Sequence, residues 1–388
     1  MKKSTILLSV LLMGATQATF AQEENSEPKF TIKPAGRILM DGALYASPDK
    51  NLFKDGVAIP DARLGASMQY GKWKAKIDVG FAYNKVGLKD LFIEYDFNPA
   101  NLIRVGSFTH QYGLQSSTSS SMKPTMAEPV ANSVFNDARQ IGVMYERSDD
   151  KYLGTISAHV EPSATTVILT PTQYTQEGYG FRTRQVWRPF HKDGLNFQVG
   201  VSGAFGTPQR TGDDDENHNT FQFKSNYPTS VSQVTAIDAS VDHAMNLWKF
   251  TPELLISYKR LALESQYYFQ QVNRRDNLQH WNGQGAYVTL RGLIFGDKQY
   301  GYSMLDGGLA TPGKGTFEVV ANYTNVNLSD RNAGIYGGRL NDFSVTFNYY
   351  INKYMIARLH YSYTHTWDRQ GFEPATLNAF MARLQVIF

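Results

Sequence analysis

Apolar and polar residues alternate along most of the chain from Ala35 onward. Trp73, Ala75, Ile77, Val79 and Phe81 are interleaved with Lys74, Lys76, Asp78 and Gly80, and the same period of two recurs in Leu91–Phe97, Phe197–Val201, Phe343–Ile351 and Ala357–Tyr363. A period of two puts alternate side chains on opposite faces of a β-strand, and long stretches with a helical period are missing. Each segment is about ten residues, which at a rise of ~3.3 Å and a tilt of ~40° covers ~25 Å, the height of an outer-membrane hydrocarbon band. Tight connections at 71–72, 98–100, 148–150 and 352–353 are interleaved with longer polar ones at 110–137, 161–177, 206–219, 272–283, 326–340 and 367–375. Short turns at one end and long loops at the other predict an all-β fold, a transmembrane antiparallel up-and-down β-barrel of about sixteen strands, with eighteen as the alternative. The choice turns on whether Phe221-Gln222-Phe223 is a strand and on the stretch 296–314, which is long for a turn. A secreted β-sandwich would also alternate. Against it stands the last segment, where Phe380, Ala382, Leu384, Val386 and Phe388 alternate to the final residue. A closing strand that ends in Phe is what outer-membrane insertion machinery commonly reads.

In lipid every backbone N–H and C=O needs a partner within the protein, so a β-structure spans only as a closed cylinder. The apolar register then faces lipid and the polar register faces the lumen, and at about sixteen strands side chains alone do not fill the interior. Alternation assigns Arg37, Asp41, Arg63, Lys74, Lys76, Asp78, Glu94, Arg104, Arg182, Arg184, Arg291, Arg358 and Arg383 to the lumen. Cations outnumber acids there, and rings of Arg and Lys in a narrow channel favour anions. The alternative is a polar lumen whose charges pair across neighbouring strands, leaving a general diffusion pore. Aromatics at strand ends (Tyr70, Trp73, Phe97, Trp187, Tyr258, Tyr349, Tyr350 and Tyr354) fit interfacial girdles.

Composition narrows the classes. Aromatics make up 13% and charged residues 19%, an aromatic-rich, charge-poor balance for a soluble enzyme. After the N-terminal segment no apolar run reaches the ~18 residues that a spanning helix needs. The absence of cysteine excludes disulfides, thiolate metal sites and Cys nucleophiles. Net charge is +3 and falls by two if Lys2 and Lys3 leave, so nothing points to nucleic acid. Met1-Lys2-Lys3, the apolar Ile6–Met13 core and Thr19-Phe20-Ala21 read as a signal peptide over residues 1–21. Residues 22–34 read as a polar leader, and 35–388 as one barrel domain. The expected location is the cell outer membrane of a Gram-negative bacterium, in contact with lipid and lipopolysaccharide.

A more specific pattern lies in residues 101–147. Ile103-Arg104-Val105-Gly106-Ser107-Phe108, Tyr112-Gly113-Leu114, Ser116-Ser117, Met126-Ala127-Glu128 and Asp137-Ala138-Arg139-Gln140-Ile141-Gly142-Val143 resemble the phosphate-selective porin O and P family. Gly315–Tyr323 resembles another strand of that family. The resemblance implies a homotrimer of sixteen-stranded barrels, a long third loop folded into each pore as a constriction, and inward cations that conduct anions such as phosphate. By motif position it carries Arg104, Arg139 and Glu128 into the pore; Lys123 is placed by its position in the loop. Family members often carry Arg directly after that Glu, where this chain has Pro129. The loop itself is long, with a small polar run from Ser116 to Ser121 that includes the constriction residues Ser116 and Ser117, and Lys123-Pro124 and Glu128-Pro129 stiffen it. The expected anion path is thus Arg37, Arg63, Lys74, Lys76, Arg104, Lys123, Arg139, Arg182, Arg184, Arg358 and Arg383.

Other motifs carry less. Gly308 to Gly315 nearly spells a phosphate loop but has Gly315 where Ser or Thr is required, and a strand follows. Asp213-Asp214-Asp215-Glu216 lacks the Gly and distal Glu of a calcium loop. The eight histidines are scattered and form no metal pattern. His365 and Asp368 have no Ser partner to complete a hydrolase triad, so an outer-membrane barrel enzyme or an adhesin ranks below the pore. No cofactor, catalytic residue or metal is expected.

Overall fold

The computed structural model describes residues 28–47, 52–83, 85–119, 122–137, 139–160, 178–209 and 220–388. The first strands are β1 (Thr31–Ala46), β2 (Gly56–Tyr70), β3 (Trp73–Ala82), β4 (Lys85–Asn98) and β5 (Asn101–Phe108). Two short helices follow, α1 (Leu114–Ser117) and α2 (Val130–Phe135), before β6 (Gln140–Ser148), β7 (Tyr152–Val160), β8 (Tyr179–Lys192) and β9 (Leu195–Gly206). Next come β10 (Phe221–Asn226), β11 (Thr235–Val241), β12 (Ala244–Tyr258), β13 (Leu261–Arg274) and β14 (Trp281–Phe295). The chain continues with β15 (Tyr302–Ser303), β16 (Gly308–Leu309), β17 (Thr316–Asp330), β18 (Ile335–Asn352), β19 (Met355–Arg369) and β20 (Ala375–Ile387).

Sixteen of these strands form one closed antiparallel barrel, in which each pairs with its neighbour in the chain and β20 returns to β1. The two places that left the count open are both hairpins outside the barrel sheet: β10–β11 and β15–β16. Closure is sealed where Gly36 N donates to Phe388 O at 2.8 Å and Phe388 N donates to Gly36 O at 3.0 Å.

Alternation sets the two faces. Ile38, Leu64, Ile93, Val105, Ile156, Phe181, Trp187, Leu290, Tyr323, Leu359 and Phe380 lie exposed on the outside, while their polar neighbours point inward and are buried or half-buried. Sixty-one per cent of the Leu359 surface is open against 3% for Arg358. An apolar shell of this kind requires hydrocarbon around it.

Four expectations about boundaries change. Thr31–Pro34 belong to β1, although the polar leader was expected to run to residue 34; they pair with Gln69–Ala66 of β2. Pro34 is tolerated because pairing of β1 with β20 begins only at Arg37, so the proline lies where β1 has one neighbour. The loop expected at 326–340 shrinks to a turn between Asp330 and Ile335. There Val326, Leu328 and Leu340 point inward against β11 while Asn325 and Asn327 face out, so the polarity of the alternation inverts and the strands read as a loop. The loops expected at 272–283 and 367–375 shorten in the same way, with β13 reaching Arg274 and β19 reaching Arg369. Tyr350 is no girdle residue: it points inward, fully enclosed, and its hydroxyl donates to Glu318 Oε2 at 2.8 Å. The other girdle aromatics are exposed on the outside. Residues 1–27, the 161–177 loop, Ser120, Ser121 and the acidic run at 213–216 lie outside the described residues.

Candidate functional site

The segment between β5 and β6 enters the barrel and circles its inner wall. Gly113 opens it in a left-handed conformation (φ +77°), and an added Cβ there would collide with the Gln266 side chain. Gly113 N donates to Ser202 Oγ at 2.9 Å and Gln115 N to Gln266 Oε1 at 3.0 Å, which ties α1 to β9 and β13. Arg37 Nη1 then donates to Ser119 Oγ at 3.0 Å from β1. Arg358 Nη1 reaches the carbonyls of Lys123 at 2.7 Å and Thr125 at 3.2 Å, Asn348 Nδ2 that of Pro124 at 2.8 Å, and Arg383 Nη1 that of Met126 at 2.9 Å. Ala131 N leans on Thr324 Oγ1 of β17 and Tyr268 OH donates to Asn132 Oδ1. The circuit closes where Arg139 Nε donates to Asp90 Oδ1 at 2.5 Å.

Two of its carboxylates are locked by charge. Glu128 pairs with Lys123 Nζ at 2.8 Å and accepts from Asn132 Nδ2 at 2.7 Å. Burial pushes its carboxyl up, and Lys123 outweighs it, so the group sits below the usual carboxylate range. Asp137 receives Lys249 Nζ at 2.8 and 2.9 Å together with Arg182 Nη2. Burial is again outweighed, first by Lys249 and then by Arg182, and Asp137 is held well below its ordinary value.

The other two insertions narrow the lumen further. At the end opposite the termini the β10–β11 hairpin packs on β17–β19, with Phe223 stacked on Trp281 at 4.8 Å and Arg369 Nη1 donating to Thr235 O at 2.9 Å. The turn that follows β10 crosses to β1 and the turn after β3, where Ser230 Oγ donates to Asp41 and Tyr83 OH donates to Ser230 O at 2.6 Å. At the end that holds the termini, residues 296–315 fold inward. Arg188 Nη1 donates to Met304 O at 2.8 Å, and Arg184 donates to the carbonyls of Asp306 and Gly307 at 3.1 Å each. Inside the barrel, α2 and the first hairpin bury an apolar cluster of Val130, Phe135, Phe223, Ile237, Tyr268 and Trp281. Part of the interior is therefore dry, because inserted chain fills space that wall side chains leave open.

Inside the barrel a cavity of about 810 Å³ stays open against β1–β5, running from Ala35, Ile387 and Phe388 at the terminal end to Met122 and Asn132 of the inserted segment. Arg37, Arg63, Lys76, Arg104, Lys123 and Arg139 line it, together with Asp78, Asp90, Glu128, Asp137, Glu146 and Asp306. Ser116 and Ser117 face it from the segment. On the β1–β5 side carboxylates are shared between cations: Asp61 by Arg37 and Arg63, Asp90 by Lys76 and Arg139, Glu94 by Lys74 and Arg104. Lys74 also meets Asp96 at 2.7 Å, near the terminal end and outside the cavity lining.

The remaining expected residues face inward but are covered. Arg184 is fully buried, paired bidentately with Glu253 at 2.7 and 3.0 Å and closed off by Gln111 and the 296–315 turn. Arg358 is held under the carbonyls of residues 123–125, and Arg383 is clamped to Asp41 at 2.7 Å by both nitrogens. Arg182 sits behind Asp137. These four hold the inserted segments and do not line the main cavity.

Sequence reading missed two kinds of residue. Lys89 carries no ion pair with a carboxylate among the described residues and lies over Gly80, because the register shift between Ile77 and Val79 turns it off the simple alternation. Asp137 and Glu253 neutralise cations far away in sequence, which no local pattern signals. His365 bonds Thr376 and Asp368 pairs with Arg339, so the two rejected hydrolase residues are engaged separately.

Solved structures that share this fold include outer-membrane proteins. The anion-selective porin from Comamonas acidovorans matches with a TM-score of 0.58 at 10% identity, over 93% of this chain and 100% of that one. The outer membrane channel DcaP of Acinetobacter baumannii matches with a TM-score of 0.56 at 13% identity, over 92% and 97%. OmpT of Vibrio cholerae, an outer membrane protein in its trimer form, matches with a TM-score of 0.58 at 11% identity, over 92% and 99%. At these identities the likeness is one of fold. A comparison with curated proteins gave no match. Residues 33–388, nearly the whole chain and including every strand from which the cavity is built, match the family described as phosphate-selective porin O and P, and the chain belongs to that family of outer-membrane porins.

Proposed function

We propose that this porin passes small hydrophilic solutes passively through the cavity against β1–β5, with a preference for anions, and performs no bond chemistry. The observation that carries the reading is the basic wall. Arg37, Arg63, Lys76 and Arg104 line the cavity from β1–β5 against two carboxylates, Asp78 and Asp90. In a narrow path with low-dielectric walls this excess focuses a field that draws anions. Phosphate is the solute the family's description points to. Residues 1–21 act as the export signal, and the terminal end of the barrel faces the periplasm. The girdle meets lipid and lipopolysaccharide, and three copies assemble, as the trimer form of the Vibrio protein supports.

A second reading, a general diffusion pore, draws on the balance of the whole lining, where loop carboxylates offset the wall. Reversal potentials across a planar bilayer under a KCl gradient separate the two. The anion reading predicts a chloride-selective potential that moves toward zero when Arg63, Lys76, Lys89 and Arg104 are changed together to Gln. A wild-type potential already at zero favours the general pore.

A further inference from the structure

Asp137 borders two spaces. It lines the main cavity, and it also lines a side pocket of about 320 Å³ enclosed by residues 133–137, β10 and the wall strands β7 to β9 and β12. Arg182 and Lys249 line the side pocket but not the main cavity, and both are more than nine-tenths buried. Lys249 Nζ donates to both Asp137 oxygens and to Phe135 O at 3.0 Å. Arg182 Nη2 donates to Asp137 and to Gln140 Oε1 at 2.5 Å, whereas Arg182 Nη1 is buried with no hydrogen-bond partner. His159 lies in the same pocket, its ring nitrogens engaged by no side chain.

We propose that Asp137 is a selectivity-determining residue, a tethered carboxylate that occupies an oxyanion site formed by Arg182 and Lys249 and screens it from anions in the pore. The inference rests on the pore reading above. Two fixed cations converge on one carboxylate, and a guanidinium fork beside an ammonium is the geometry that holds an oxyanion. A carboxylate has two oxygens, and both are taken by these cations. The idle Arg182 Nη1 is a donor that a further oxygen of a tetrahedral oxyanion would meet. Asp137 cannot withdraw far, because Arg139 and β6 follow it directly. With Asp137 in place the cluster presents one net positive charge; without the carboxylate's charge it presents two at the wall of the main cavity.

The test uses single channels of the full barrel in planar bilayers. Asp137→Asn is expected to raise the chloride-over-potassium permeability ratio severalfold, and inorganic phosphate should then block chloride current at concentrations that leave the wild type unaffected. Lys249→Gln and Arg182→Gln, each lowering the cluster from one net positive charge to none, are expected to shift the reversal potential the opposite way. Asp137→Asn combined with Lys249→Gln restores the local charge and should return the ratio close to the wild-type value, as should Asp137→Glu. A residue that only anchors the segment predicts another pattern: all three neutralising variants raise conductance and noise together, with the reversal potential unmoved. That result would overturn the assignment. If the wild type conducts and Asp137→Asn keeps its reversal potential, this inference fails alone. If the wild type carries no current, the pore reading fails and takes this one with it.

Discussion

Burying an arginine in a barrel wall costs least when every donor is answered. Arg184 meets that condition through Glu253, the Gln111 side chain and the carbonyls of Asp306 and Gly307. Removing one partner of such a pair leaves the other charged and desolvated. Glu253→Gln is therefore expected to destabilise the folded barrel by about 3–5 kcal/mol, read as a lower guanidinium midpoint, whereas Arg184→Met together with Glu253→Leu should recover most of the loss. An unchanged midpoint in Glu253→Gln would mean that water reaches the pair. At this scale the sequence spoke clearly about direction and poorly about pairing. Alternation alone puts Arg37, Arg63, Arg104, Arg184 and Arg358 on the inner face, because a strand leaves a side chain two choices. It says nothing of whether an inward arginine meets water or the carbonyls of an inserted loop. Arg358 and Arg184 meet carbonyls, and their partners lie more than a hundred residues away.

Among the elements, the strands were legible and the insertions only half so. Length, a small polar run and two Xaa-Pro steps marked the segment after β5 as a pore loop, and the structure shows it pinned to β1, β9, β13 and β17–β20. The 296–315 turn stood out as too long without revealing where it goes. It turns inward because Arg184 and Arg188 offer buried donors to backbone carbonyls of that turn, and because Tyr300 fills a buried niche with its hydroxyl on Glu318 at 2.8 Å. Phe221–Phe223 was ambiguous because a hairpin inside a barrel alternates as a wall strand does. Replacing residues 299–312 by a two-residue Asn-Gly turn is expected to leave the barrel assembled and to raise single-channel conductance severalfold, since Leu305 and Asp306 line the cavity. Conductance equal to the wild type would place the narrowest point in the 109–139 segment alone.

For the whole molecule the decisive property is which way the apolar register points. Leu290 and Thr289 are adjacent on β14, yet 54% of the Leu290 surface is exposed on the outside against 1% for Thr289 inside. Charge on the lipid face near the middle of the membrane costs about 2–4 kcal/mol. Leu290→Lys is therefore expected to lower folding yield into lipid vesicles, while Thr289→Lys should fold and alter ion selectivity instead. Equal losses in both would contradict the assignment of faces. This inversion of a soluble protein's pattern was readable from the start, because ten-residue alternating segments with alternating short and long connections fit a cylinder in lipid. What the pattern could not show is how much of the cylinder is plugged, since three insertions bring their own apolar residues into a polar lumen.

Current through purified protein in a planar bilayer tests the account most directly. An open water path beside β1–β5 predicts discrete, uniform steps whose size grows with salt concentration and which are absent from control membranes. Folded, membrane-inserted barrels that give no steps at any voltage would contradict it, because the inserted segments would then seal the lumen.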